Sequence, residues 1–393
     1  MLKRIVCMLF TLVILSVVLA SCHGTSAIDK YLVVAIVIPD QRDTWDEVIE
    51  GAARAIKQYT GKHAGMQVQL KLYKCDYPRD IDDRFEDALT EEVDGICIAM
   101  PTCLYEYAGD PSEPSVTTEY DSDLEAIYSI SEMINKATDD GIPVITIGND
   151  QYLCSGDPGS PHYWSQNMAA PSRLCFVGSD NTIFGRRLAE KAMELQNSSA
   201  KLFVLRGWLK NTEQWYRYQG MKEVLEDECF IDGTSVERHQ FPYENHGVFW
   251  SGEVISHSAD PNNIGKSYLE RGCMCESALE YGITKLHEDF NTVISTWVGG
   301  NAAANVFRGL GWDDADTNLE HVLILSEYSI DTITAIKERF ATCALIEDRE
   351  SWGEEGVKIL LATLESGEKP ESEFFETESY WIDYLAVYDW STD

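Results

Sequence analysis

The chain has 393 residues, with 31 Lys+Arg against 66 Asp+Glu and a formal charge of −35. That charge excludes a nucleic-acid binder, because a phosphate backbone would be repelled, and it argues against the protein body lying on anionic lipid. Hydrophobic residues at 44% and aromatics at 11% suffice for a large core, so a disordered acidic chain is excluded too, and the length points to two domains.

The N-terminus reads MLKRIVCMLFTLVILSVVLASCHG. Lys3 and Arg4 precede an apolar run from Ile5 to Ala20, interrupted only by Cys7, Thr11 and Ser16, which is the layout of a secretory signal. A run of ~17 residues can also cross a hydrocarbon core, so a permanent signal anchor is the alternative. Leu19-Ala20-Ser21-Cys22 followed by polar residues resembles a bacterial lipoprotein signal. That resemblance implies removal of residues 1–21, lipidation of Cys22 and a tether over 22–30. It places the protein in the cell envelope, anchored to a bacterial membrane and facing the periplasm or the exterior. His23 stands where Asp would signal inner-membrane retention, which leaves the membrane open.

Past the tether, strands and helices alternate. YLVVAIVIP (31–39) predicts a strand, and Trp45, Val48, Ile49, Ala52, Ala53 and Ile56 recur at helical spacing over 44–60. MQVQLKLY (66–73), helix 79–91, GICIAM (95–100), helix 124–140 and IPVITIG (142–148) continue the series, with a polar, acidic insertion at 102–123. A second series opens at LCFVG (174–178) and runs through helix 181–196, KLFVLRG (201–207) and helix 211–227. After an aromatic and polar stretch at 230–265 come helix 266–286, NTVISTWV (291–298), helix 301–309, VLILSEY (322–328), helix 331–339 and TCALIED (342–348). A long helix over 351–365 and a strand-like YWIDYLAVY (380–388) close the chain. All strand runs but the second are continuously apolar, as in parallel sheets covered by helices on both faces.

Eleven cysteines leave nine once Cys7 and Cys22 are set aside, so at least one is unpaired in a monomer. Cys97 and Cys175 sit inside apolar strands and read as small core residues. Cys103 and Cys154 each follow a predicted strand, so a disulfide across a cleft mouth is one possibility; Cys273-Met274-Cys275 is too tight for a redox pair. No GxGxxG or GxxxxGK[ST] follows a strand, and no HExxH, GxSxG or paired CxxC occurs. Two α/β lobes without a catalytic motif point to a cleft binder that is not an enzyme and holds no metal or cofactor.

Several stretches, taken in order, resemble the periplasmic sugar-binding proteins of the ribose/galactose-binding class and the ligand-sensing part of lactose-repressor-type regulators. They are VVAIVIPDQRDTWDEVIEGAARAIKQY, VDGICIAMPT with INKATDDGIPVITIGND, LCFVGSDNTIFGRRLAEKAM, and FVLRG with NTEQWYRYQGMKEVL. The resemblance implies two Rossmann-like lobes, each a parallel sheet flanked by helices, joined by a three-crossing hinge with the ligand cleft between. It implies a first lobe of 28–149 plus 348–372, a second of 150–347 plus 373–393, and crossings near 149, 321–328 and 347.

By the same resemblance, Trp45 would stack on a sugar face, and Asp150 would accept hydroxyl hydrogen bonds beside the hinge. Arg217 would clamp ligand oxygens, and Glu347 stands where relatives have a hinge Gln or Asp. The chain departs from the family at two places. Gly299-Gly300 replaces an Asn-Asp pair, leaving Asn301 as a neutral substitute, and Tyr328 lies in SEYS where a ligand-binding Asp is usual. A simple pentose or hexose is therefore less expected than the fold. Asp40, Asp43 and Asp46 would suit a cationic ligand or be solvated charge. The function implied is capture of a small polar, sugar-like ligand for an ABC importer. The alternative is a sensory module presenting its closed state to a membrane histidine kinase or chemoreceptor.

Overall fold

A computed structural model describes residues 30–39, 44–75, 80–100, 129–148, 172–196, 200, 202–205, 212–225, 291–296, 300–312, 320–326 and 328–390. In chain order the elements are β1 (Lys30–Pro39), α1 (Thr44–Lys62), β2 (Met66–Cys75), α2 (Ile81–Thr90), β3 (Gly95–Ile98), α3 (129–139), β4 (Val144–Ile147) and β5 (Phe176–Gly178). Then follow α4 (Asn181–Leu195), β6 (Leu202–Leu205), α5 (Thr212–Val224), β7 (Thr292–Ser295), α6 (Gly300–Leu310), β8 (Val322–Leu325), α7 (Ile330–Lys337) and β9 (Cys343–Glu347). The last four are α8 (Arg349–Ser366), β10 (Phe374–Glu376), β11 (Ser379–Asp383) and α9 (Tyr384–Trp390).

The strands form two sheets. The first is parallel throughout, in the order β10-β5-β4-β3-β1-β2. The second runs β11-β9-β8-β7-β6, parallel except that β11 lies antiparallel to β9. Helices cover both faces of each sheet, which is why the inner strands are apolar without alternation. On one face of the first sheet, Val48 and Ala52 of α1 and Val357, Leu360 and Leu361 of α8 pack on Val34, Ile36 and Ile147. Phe85 of α2 and Ile130 and Ile134 of α3 cover the other face through Val37 and Ile98. The second sheet repeats this arrangement, with α4 and α5 on one face and α6, α7 and α9 on the other. The alternating pattern of β2 has a simple cause: it is an edge strand, paired only to β1.

Each lobe is locked by a helix pair in near backbone contact. In the first lobe a Cβ on Gly51 of α1 would strike the Glu350 carbonyl, and one on Gly353 of α8 would strike the Val48 carbonyl. In the second, Gly220 of α5 meets the Thr182 carbonyl and Gly185 of α4 meets the Arg217 carbonyl. The spacing is identical: each glycine lies three residues after the carbonyl its partner touches. In both lobes the pair joins the helix after the first strand to the helix arriving from the other sheet. Both arriving helices start at an aspartate cap. Asp180 accepts from the Thr182 and Ile183 amides, and Asp348 from the Ser351 amide.

The two-sheet architecture agrees with the expected fold, but the crossings fall elsewhere. β5 was expected to open the second lobe; it pairs with β4 through Thr146↔Phe176 and belongs to the first sheet. The chain therefore crosses at 179–180, not near 149, because LCFVG is a central strand of the first lobe and only its helix belongs to the second. No crossing occurs at 321–328, since β8 pairs with both β7 and β9 inside the second sheet. A second crossing lies at Glu347–Asp348 between β9 and α8, and the third at Thr377–Glu378 between β10 and β11. The tail is thus shared between lobes, with β10 in the first sheet. The strand-like stretch 380–388 also divides: Asp383 Oδ1 accepts from the Ala386 amide, ending β11 and starting α9.

Cys75, Cys97, Cys175 and Cys343 are buried and form no disulfide. Cys103, Cys154 and the N-terminal signal lie outside the described residues. Among the described residues no helix is long and apolar enough to cross a membrane.

Candidate functional site

Parallel sheets gather loop and helix starts at their carboxyl ends, and the three crossings bring those ends of the two sheets together. On the second lobe the centre is Arg217 of α5, 4% exposed. Its Nε donates to Asn181 Oδ1 at 2.7 Å, Nη1 to the Thr296 carbonyl at 3.1 Å and Nη2 to Glu347 Oε1 at 2.8 Å. The guanidinium also lies over the Phe184 ring, 4.2 Å from its centroid. One side chain thus ties together the start of α4 at the first crossing, the end of β7 and the end of β9 at the second crossing. Glu347 is itself buried, so the pair is a desolvated ion pair that needs these extra hydrogen bonds to persist.

The first lobe meets the same region with aromatic rings. Trp352 of α8 is buried, and its Nε1 donates to Thr377 Oγ1 at 2.9 Å, fixing α8 to the third crossing. Trp45, in the first turn of α1, stands 6.1 Å from Trp352 centroid to centroid, tilted by 54°. Both rings close on Gly148, just past β4, where φ is +71 and a Cβ would meet the Trp352 ring. Glycine is required there on both counts.

A titratable group of residues gathers beside Trp352 at the start of α8. Burial raises the Glu47 carboxyl above its ordinary range, with Arg349 opposing and Asp348 and Glu50 adding to the rise. Burial also raises the Tyr380 hydroxyl, helped by Glu47, Asp348 and Tyr328 and opposed by Arg349. Arg349 lies over the Trp352 ring at 5.7 Å, and its Nη1 is buried without a hydrogen-bond partner. Ser326, directly after β8, is buried with an unpartnered hydroxyl. These are groups that a polar ligand could satisfy.

The expected site residues separate into three groups. Arg217 and Glu347 are brought together, bound to each other. Trp45 is half-buried at the end of the first lobe, packed on its core, and Tyr328 is half-buried past the end of β8 against the core of the second. Asn301 lies in the first turn of α6, and Asp150 and Cys22 fall outside the described residues. Sequence reasoning missed Trp352, Asn181, Ser326, Arg349, Glu47 and Tyr380. Asn181 was visible in the Gly-x-Asp-Asn turn, and Trp352 could have been found as a large aromatic one residue before a helical glycine. Of the acidic residues around the first loop, Asp46 is exposed and paired with Lys74 at 3.3 Å; Asp40 and Asp43 lie outside the described residues.

Two α/β lobes with facing strand ends and three crossings define a periplasmic-binding-protein-like fold. Solute-binding proteins of this fold are non-catalytic, and among the described residues no group of three or more His, Cys, Asp or Glu could hold a metal ion. The periplasmic binding protein domain family matches residues 129–258. The glucose-galactose binding protein GanP of Geobacillus stearothermophilus is similar in structure at a TM-score of 0.58 and 17% identity, covering 91% of this chain and 99% of that one. A periplasmic ribose ABC transporter protein of Conexibacter woesei gives 0.63 at 14% identity, over 94% and 97% of the two chains. An ABC transporter solute-binding protein of Burkholderia graminis, in complex with D-arabinose, gives 0.57 at 18%, over 90% and 95%. No curated protein matches the chain.

Proposed function

We propose that the protein is a lipid-anchored solute-binding protein that captures a small, neutral, polar ligand of sugar-like character by hinge closure and delivers it to an ABC importer. The observation that carries this reading is the buried Arg217–Glu347 pair at the strand ends of the second lobe together with the Trp45–Trp352 aromatic pair at those of the first. An indole face offers a surface for the C–H face of a sugar. An arginine whose charge is already met by a buried carboxylate offers N–H donors without a net attraction for anions. Ser326 and Arg349 Nη1 add unsatisfied groups suited to hydroxyls. The names of the similar structures, which include glucose-galactose and ribose proteins, support a saccharide class. Cys22 would carry the lipid and hold the clamp beside its permease.

Calorimetric titration of the folded protein against saccharides, nucleosides and polar metabolites tests this. The expected outcome is saturable binding of a neutral hydroxylated compound, weakened about tenfold (~1.4 kcal/mol) by Trp45→Ala. Binding only of anions, or of none of these compounds, would overturn it. Radiolabelled palmitate incorporation lost in Cys22→Ala tests the anchor.

A further inference from the structure

A cavity of about 240 Å³ lies beside the Arg217 cluster, between α4 and the third crossing, and shares Phe184 with it. Ser179, Asp180, Ile183, Phe184 and Arg187 form one wall, and the stretch Glu376–Ser379 forms the other. Its origin follows from the repeated helix pair. Phe184 precedes Gly185 as Trp352 precedes Gly353. In the first lobe the indole fills the space beside the third crossing and gives its N–H to Thr377. In the second lobe the smaller ring of Phe184 has no N–H, and a cavity remains where the indole would reach.

The lining is rich in acceptors. Ser179 is 5% exposed and its hydroxyl has no hydrogen-bond partner. Glu376 and Glu378 are exposed carboxylates two residues apart on an extended stretch, about 7 Å along the chain. Asp180 adds a third carboxylate, although its Oδ1 already accepts two amides of α4. The one basic side chain, Arg187, donates Nη1 to the Ser379 carbonyl at 2.6 Å and to its hydroxyl. The carboxylates do not form a cluster able to hold a metal ion. An anion would meet a net negative wall. Ile183 and Phe184 supply apolar surface between the charges.

We infer that this cavity is a second binding site, selective for a short aliphatic diamine whose ammonium groups reach the separated carboxylates while its methylenes lie on Ile183 and Phe184. The volume exceeds the ~150 Å³ that admits benzene, so a six-heavy-atom chain fits. The site borders the Arg217 cluster, but none of Arg217, Glu347, Trp45 and Trp352 lines it.

Titration of the full chain in detergent with 1,4-diaminobutane tests the assignment, with 1,4-butanediol and magnesium chloride as controls. Saturable binding of the diamine alone is expected, weakened at least about tenfold in Glu376→Gln/Glu378→Gln and unchanged in Trp45→Ala. Both glutamates are exposed, so the double variant keeps its fold, which a thermal melt checks. The inference is overturned by any of three results: no saturable diamine binding, equal binding by the double variant, or loss of binding in Trp45→Ala, which would put the cation in the main cleft.

Discussion

The two lobes share one framework and differ in what they place at its end. In each, a helix following the first strand and a helix arriving from the other sheet touch through a pair of glycines at the same spacing. Beside that contact the first lobe carries Trp45 and Trp352, and the second carries Arg217 with Asn181, Thr296 and Glu347. By this correspondence Arg217 occupies the place of Val48, a core residue, since the carbonyl of each faces the partner helix's glycine. The comparison separates a part that must be kept for packing from a part free to vary in chemistry. A valine position converted to a buried arginine is tolerated because Glu347, on a crossing, supplies the countercharge. The charge therefore also fastens the hinge.

Breaking the polar end should give the largest effect. Glu347→Ala leaves Arg217 buried without its carboxylate and should cost about 3–5 kcal/mol in chemical denaturation. Glu347→Gln, which keeps an acceptor, should lose distinctly less. The shared framework comes next: Gly353→Ala and Gly185→Ala each press a methyl onto a backbone carbonyl and should cost up to about 3 kcal/mol. If one lobe tolerates the methyl and the other does not, the two contacts are not equivalent. At the aromatic end, Trp352→Phe removes the hydrogen bond to Thr377 and should cost about 1–3 kcal/mol in the same assay.

The smallest effect is electrostatic and sharpens the boundary between the lobes. The folded state holds the proton of Glu47 above its ordinary 4.5, chiefly through burial. As pH rises from about that value through the raised one, the folded state binds more protons than the unfolded, so stability falls. Glu47→Gln should flatten this slope, and the variant's melting temperature should gain on the native protein as pH increases over that window. A parallel displacement of the two curves would show that Glu47 ionises without penalty.

How far the sequence could be read follows from the same contrast. Continuous apolar runs such as VVAIVIP and VITIG marked strands buried on both faces, and MQVQLKLY stood apart by its alternation, because burial on one or two faces writes itself directly into composition. Sheet membership is not written that way. Phe176–Gly178 looks the same whichever sheet it joins, so the first crossing was misplaced by some thirty residues. The short Phe374–Glu376 strand, with three residues, carries too little pattern to be seen. Arg217 and Glu347 were each marked by the family resemblance, but their separation by 130 positions hid the fact that they bind each other. The positions of Trp352 and Asn181 carry local signals, but their partners Thr377 and Arg217, 25 and 36 positions away, do not.

The four buried thiols carry a consequence for resistance to oxidants. Oxidants attack the thiolate, and burial drives the Cys97 thiol far above its usual range, with neighbouring Cys175 adding to the effect. Cys97 and Cys175 are enclosed in the first sheet, where burial leaves an oxidant no access to either sulfur and the raised Cys97 thiol offers it no thiolate. Their inertness is a property of the packed sheet, so it would last as long as the fold does and vanish with it: alkylation of these cysteines reports global unfolding.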